Sequence, residues 1–258
     1  MAAIHSLLSR TFVAAVLLAA SSIAFSKEVK NIVLVHGAWV DGSGWKPVFE
    51  ILKAAGFEVS VVQEPLTSLA ADVAATKRVL DLQDGPTILV GHSYGGSVIT
   101  EAGAHPNVVG LVYVAAHAPD VGENEAALGK GKPSFTSKQE GAIQKTSDGY
   151  LYLRPSDFYP DFAADLPREQ AEFESRAQAL TASEVFSTPL SVAAWKSKPS
   201  WGVVAGSDKI INPDLERWYY ARAKSHVTVI EGASHSVYES RPREVAAVIE
   251  DAARNALP

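Results

Sequence analysis

Four short apolar runs constrain this chain more than anything else in it: Asn31 to Val35 (NIVLV), Thr87 to Val90 (TILV), Val108 to Ala115 (VVGLVYVA) and Trp201 to Ala205 (WGVVA). Each is rich in β-branched residues and does not alternate with polar ones, the pattern of strands buried on both faces of a parallel sheet. Between the first three lie helical stretches. Trp45 to Ala55 reads as a helix stopped by Gly56, and Glu58 to Val62 as another strand. Leu69, Val73, Thr76 and Leu80 keep one helical face across Ala70 to Leu82 before Asp84-Gly85-Pro86 breaks it, and Ser97 to Ala104 gives a further helix. The alternation β, α, β, α, β, α, β predicts a doubly wound, mostly parallel α/β sheet.

From about 119 to 199 the strand rhythm stops. Helical patches such as Arg168 to Leu180 mix there with Gly, Pro and aromatic residues. Roughly 80 residues, against about 4 to 6 for an ordinary connection, imply an insertion with its own structure, and a helical cap or lid is expected. The rhythm resumes at Trp201, passes a helix near Asp214 to Ala223 and a strand at Val227 to Ile230, and ends in a helix opened by Pro242 that repeats Val245, Val248, Ile249 and Ala252. One α/β domain over 27–258, with a cap at about 119–199, is the expected organisation.

The size fits one large core, since 47% of the 258 residues are hydrophobic. With 23 Lys and Arg against 29 Asp and Glu, the net charge of -6 lacks the cationic surface that nucleic-acid binding needs. No cysteine is present, so disulfides, thiolate nucleophiles and thiolate metal sites are excluded. Residues Thr11 to Phe25 form an apolar stretch behind Arg10, with small residues at Ser22 and Ala24, or at Ala24 and Ser26. This reads as a secretory signal over 1–26, predicting export to a periplasm or the medium and no lasting membrane insertion; an uncleaved anchor or a buried helix is the alternative.

Gly91-His92-Ser93-Tyr94-Gly95 sits between a strand and a helix, the context in which Gly-x-Ser-x-Gly forms a nucleophile elbow. A serine on so tight a turn takes a strained backbone, and side chains two residues either side would collide with the turn. The helix that follows aims its N-terminus at a developing oxyanion.

A serine hydroxyl needs a base to take its proton. Of seven histidines, His5 lies in the signal, His36 and His92 sit in motif loops, and His105, His117 and His226 have no supporting pattern. His235, in Glu231-Gly232-Ala233-Ser234-His235, follows the last strand, where the order Ser, acid, His puts the base. The acid that orients it is expected at Asp208, after the penultimate strand, with Asp214 and Asp120 as rivals; Asp214 reads better as a helix cap. Backbone N–H groups of Ala38, in the loop after the first strand, and of Tyr94, after the serine, are the candidate oxyanion donors.

With these stretches the chain resembles the α/β-hydrolases, and within them the small esterases related to plant methylesterases and hydroxynitrile lyases. The resemblance rests on Leu34-Val35-His36-Gly37-Ala38-Trp39 with Gly44-Trp45, on Gly91-His92-Ser93-Tyr94-Gly95-Gly96, on Gly206-Ser207-Asp208-Lys209 with Glu216-Arg217-Trp218, and on Gly232-Ala233-Ser234-His235. It implies Ser93 as nucleophile, Asp208 as acid, His235 as base, and a helical cap over an apolar pocket. Cyanohydrin-cleaving relatives carry a lysine after the histidine and a threonine in the oxyanion loop, where this chain has Ser236 and Gly37. Ester hydrolysis is thereby favoured over lyase chemistry, and serine in place of aspartate argues against dehalogenases and epoxide hydrolases.

The expected activity is cleavage of a small carboxylic ester through an acyl-enzyme. A ligand-binding protein with an idle site, or an amidase, lactonase or thioesterase using the same parts, are the alternatives. Phe158, Tyr159, Phe162, Phe173, Phe186 and Trp195 in the cap give the expected pocket its apolar character, although cap packing explains them as well. Lys130, Lys132 and Lys138 read as solvated cap surface. No His or carboxylate pair has metal-ligand spacing and no Gly-x-Gly-x-x-Gly follows a strand, so neither a metal nor a dinucleotide cofactor is implied.

Overall fold

The computed structural model describes residues 29–257. The expected signal at 1–26 lies outside them. Among the described residues no helix is long and apolar enough to cross a membrane.

Strands β1 (Asn31–Val35), β2 (Glu58–Val61), β3 (Thr87–His92) and β4 (Val108–Val114) alternate with helices α1 (Lys46–Ala54), α2 (Leu69–Asp81) and α3 (Gly95–Ala102). The inserted cap carries α4 (Glu125–Gly131), β5 (Ile143–Lys145), β6 (Tyr150–Leu153), α5 (Pro155–Asp157), α6 (Arg168–Arg176), β7 (Thr181–Ala182) and α7 (Glu184–Ser187). The chain then completes the main sheet with β8 (Ser200–Ala205), α8 (Pro213–Arg222), β9 (His226–Ile230), α9 (Val237–Ser240) and α10 (Pro242–Asn255).

The six strands run in the order β2-β1-β3-β4-β8-β9, every neighbouring pair parallel. The chain reverses its direction of travel across the sheet between β1 and β3, and ligands of open α/β sheets bind outside the carboxyl ends of the strands at such a switch point. The register levels those ends, pairing Val35 with Gly91 and His92 with Val114.

Period-two alternation divides the buried strands between two layers. Val33, Leu89 and Tyr113 face one layer with α2 and α3, while Ile32, Leu34, Ile88, Val90 and Val112 face the other with α1 and α10. All eight are 0% exposed, and each aliphatic side chain so buried contributes about 1.5–3 kcal/mol.

Two departures from the sequence expectation bear on the site. Helix α3 begins at Gly95 rather than Ser97, which brings its N-terminus directly against Ser93. The cap is helical in part but also holds an antiparallel sheet, β5-β6-β7. The helix expected to run to Leu180 stops at Arg176 because the Gln178 side chain bonds both backbone groups of Leu153 in β6, at 2.9 and 2.7 Å, and draws the chain off the helix axis.

Candidate active site

Strand β3 delivers Ser93 at the centre of the sheet with φ of 54°, a left-handed conformation that L-residues other than glycine rarely hold and that costs about 1–3 kcal/mol. Its neighbours hold it there. The Ser93 N–H bonds the Val114 carbonyl at 3.3 Å, and the Ser93 carbonyl accepts from Gly96 at 3.0 Å and His117 at 3.2 Å. A Cβ on Gly91 would lie 2.5 Å from the Gly95 carbonyl oxygen, and one on Gly95 would lie 2.5 Å from that of His36. The glycines flanking the serine are therefore fixed by backbone crossing backbone, as the elbow reading requires.

Asp208 follows β8. Its Oδ1 accepts the N–H groups of Ile210 at 2.7 Å and Ile211 at 2.9 Å, which turns Oδ2 toward His235 Nδ1, 2.6 Å away. His235 follows β9 and presents Nε2 to Ser93 Oγ at 2.8 Å. The Ser207 N–H bonds the Ala233 carbonyl at 2.9 Å and ties the two loops together. Three residues from three strand ends thus form one buried hydrogen-bonded line, Asp208 being 5% and His235 0% exposed. The rivals lie elsewhere: Asp120 pairs with Lys196 at 2.5 Å, and Asp214 is exposed and pairs with Arg217. Asp214 is not the helix cap expected of it either. Asn212 takes that place, accepting the Asp214 N–H.

The imidazole of His235 is packed as tightly as it is bonded. Phe162 meets it edge-on at 4.7 Å, and His92 lies 4.7 Å from its other side, with His92 Nε2 bonded to the His235 carbonyl at 3.0 Å. Burial, then the neighbouring His235, holds His92 well below the usual histidine range, so it stays neutral and donates that bond from Nε2. Ser236, in the place where lyases carry lysine, is wholly buried; its N–H bonds the Phe162 carbonyl and its hydroxyl has no partner.

Behind Asp208 stands Glu216, on the first turn of α8 and fully buried. Its Oε2 accepts the Ala205 N–H at 3.1 Å, whereas no donor reaches Oε1. Burial, followed by the charge of Asp208, raises its pKa well above the usual carboxylate range.

A cavity of about 570 Å³ opens onto Ser93 between the sheet and the cap. Ala38, Trp39, Phe186, Ile210, Ile211 and Leu215 belong to its apolar wall. The loop bearing Ala38 touches the serine, since a Cβ on Gly37 would come 2.7 Å from Ser93 Cβ, and Tyr94 is the N-cap of α3. Both expected oxyanion donors therefore belong to backbone segments that flank Ser93.

Of the six cap aromatics expected at the pocket, only Phe186 lines it. Phe158 and Phe162 stack at 4.7 Å in the core beneath, Trp195 is buried with its indole N–H on the Pro119 carbonyl, and Phe173 faces solvent. Packing accounts for most of that aromatic content. Lys130, Lys132 and Lys138 are exposed, as expected, and the first two also border the cavity.

Two wall residues went unmarked in the sequence. His117, after β4, and Glu125, opening α4, stand 3.5 Å apart in the cavity wall. An acidic residue right after Asn124, a helix N-cap, was the one available signal, and it reads as ordinary helix-start chemistry.

The model of the alpha/beta hydrolase family matches residues 32–248. A carbendazim hydrolyzing esterase from Nocardioides sp. (strain SG-4G) is 35% identical over 114 residues, which are 38% of this chain and 46% of that protein. A pyrethroid hydrolase from Sphingobium wenxiniae is 28% identical over 251 residues, covering 86% of this chain and 87% of its own. Among solved structures, a methylesterase from Arabidopsis superposes with a TM-score of 0.73 at 20% identity, covering 87% of this chain and 98% of that one.

Proposed function

Since the chain belongs to the alpha/beta hydrolase family, we propose that it is a serine esterase acting on small, largely apolar carboxylic esters. The observation that carries this reading is the 2.8 Å contact between Ser93 Oγ and His235 Nε2, backed by Asp208 at 2.6 Å on the other ring nitrogen. A relative named as an esterase, similar over 38% of this chain, and one named as a pyrethroid hydrolase, similar over 86% of it, support the class of reaction.

In this mechanism Ser93 Oγ attacks the ester carbonyl as its proton passes to His235 Nε2. The oxyanion receives the N–H groups of Ala38 and Tyr94, the second at the positive end of α3. Collapse breaks the bond to the alkoxide, which takes the proton from His235 and leaves as the alcohol. Water, deprotonated by the same nitrogen, then attacks the acyl-enzyme; the new tetrahedral adduct expels Ser93 Oγ, which recovers its proton, and the carboxylic acid departs. Asp208 keeps the Nδ1 hydrogen in place throughout, so that Nε2 faces the serine as a base.

Turnover of p-nitrophenyl butyrate, lost in Ser93→Ala while the melting temperature is kept, tests the assignment together with fluorophosphonate labelling of Ser93. Retained turnover in the variant would refute it. Labelling without turnover in the native protein would instead fit a ligand-binding role. We also propose that residues 1–26 direct export and are removed; fractionation of cells and sequencing of the mature N-terminus check this.

A further inference from the structure

The esterase line uses Ser93, His235 and Asp208, yet the cavity wall contains a second polar constellation. Ser97, in the first turn of α3, donates its hydroxyl to Glu125 Oε1 at 2.5 Å. Glu125 Oε2 stands 3.5 Å from His117 Nε2, and His117 Nδ1 lies 3.2 Å from the Tyr219 hydroxyl. His117 is also bonded through its N–H to the Ser93 carbonyl, so this constellation adjoins the nucleophile.

The gap between the Glu125 and His117 tips is the informative feature. At 3.5 Å it is longer than a good hydrogen bond, while the Ser97–Glu125 and His117–Tyr219 links on either side of it are closer, at 2.5 and 3.2 Å. All of its members are neutral near pH 7. Burial raises the Glu125 carboxyl to about 8, and burial and then His235 lower His117 to about 3. A neutral carboxyl and a neutral imidazole each hold a single hydrogen. If Nδ1–H points to Tyr219, His117 Nε2 is an acceptor and Glu125 offers its O–H; if Tyr219 donates, Nε2–H is the donor and Glu125 offers a carbonyl oxygen. Either way one donor and one acceptor face the same space. A hydroxyl, which donates once and accepts, satisfies both; a carbonyl oxygen or an ammonium satisfies one.

Resting on the esterase reading above, we propose that Glu125 and His117 form a recognition site for a hydroxyl group on the substrate, making hydroxy esters the preferred class. A plain alkyl ester leaves the two polar tips facing apolar substituent, the situation that penalises an analogue lacking the hydrogen-bonding group.

The test compares kcat/KM for ethyl hexanoate with that for ethyl 2-, 3- and 6-hydroxyhexanoate and 6-hydroxyhexyl hexanoate. At least one hydroxy ester is expected to exceed the plain ester by about 5- to 100-fold. That ratio should collapse toward one in Glu125→Leu and in His117→Phe, and persist in Glu125→Gln, whose amide keeps a donor and an acceptor. A ratio near one in the native protein, or one that survives both apolar substitutions, overturns the proposal. Because the ratio is internal to each protein, a general loss of activity does not mimic it. Calorimetric titration of Ser93→Ala with ethyl hexanoate and the hydroxy esters reads the site without turnover: equal affinities overturn it. Tighter hydroxy-ester binding in a native protein that hydrolyses none of them would sustain the site and refute the esterase.

Discussion

Glu216 is buried behind Asp208, and the charge of Asp208 adds to burial in raising the Glu216 pKa well above the usual carboxylate range. Asp208 already accepts from Ile210, Ile211 and His235, an environment suited to an anion. Glu216 accepts from Ala205 alone, and burial beside Asp208 raises its affinity for a proton. It therefore favours the neutral acid and adds no second charge behind Asp208, which makes it a positioning residue one step removed from the serine.

Glu216→Gln should keep kcat/KM within a few-fold, because the amide has the same shape, carries no charge and still accepts from Ala205. Glu216→Leu leaves the buried Ala205 N–H without a partner at the end of β8 and should lower kcat by about 10- to 100-fold, with KM little changed. Steady-state kinetics on p-nitrophenyl butyrate separate the two; equal losses in both variants would mean that Glu216 matters only as volume.

Gly95→Ala forces a methyl to within 2.5 Å of the His36 carbonyl oxygen and 2.9 Å of that of Val35. Neither atom can swing aside, since both belong to the backbone around β1. Overpacking of this kind costs about 1–3 kcal/mol. Chemical denaturation should report that loss, with activity falling as the serine is displaced.

Stability should decline on the alkaline side. Glu125, whose usual value is 4.5, keeps its proton up to about 8, and Glu239 up to about 9; Glu64, Asp72 and Glu216 are raised as well, burial being the first cause in each. The unfolded chain releases these protons near pH 4.5, so the folded state binds more protons above that point and stability falls as pH rises. The neutral histidines act in the opposite sense, but His117, lowered to about 3 from 6.5, has given its full contribution by pH 6.5. The melting temperature should therefore drop from pH 6.5 to 9. Glu125→Gln should flatten the part of that slope below pH 8, where one proton is worth about 1.4 kcal/mol per pH unit.

Phe186 meets Trp39 at 6.2 Å and Tyr94 at 5.9 Å across the cavity wall. Phe186→Ala should widen the cavity and raise the kcat/KM ratio of bulky over short acyl esters several-fold. A panel from acetate to naphthoate esters measures it, and an unchanged ratio would place the acyl group elsewhere.

The sheet was legible because its signal is local: NIVLV and TILV carry their burial in their own composition, and the glycines around Ser93 and the order of Asp208 and His235 follow from short-range turn chemistry. The cap was not. Its strands are three, four and two residues long and largely half-buried, too short for any periodicity to register. His117 and Glu125 were invisible for another reason. Their meeting depends on how α4 docks on the first turn of α3, a tertiary fact held by Ser97, and neither residue type is unusual where it stands. Glu216 likewise reads as a helix-start acid until β8 and the Asp208 loop close over it.

Strands β4 and β8 lie side by side, with Leu111 opposite Ser200, although the whole cap is strung between them. In topology the insertion is a detour that leaves and rejoins the framework at adjacent points. Ser93 comes from one side of the detour, Asp208 and His235 from the other, and the wall residues Glu125 and Phe186 from the detour itself. On the proposed reading the bond-breaking groups all belong to the framework, while the pocket wall is shared between the framework, which supplies Trp39, His117, Ile210 and Leu215, and the detour. Exchange of that one segment between relatives would re-tailor the pocket while leaving the chemistry on its original frame.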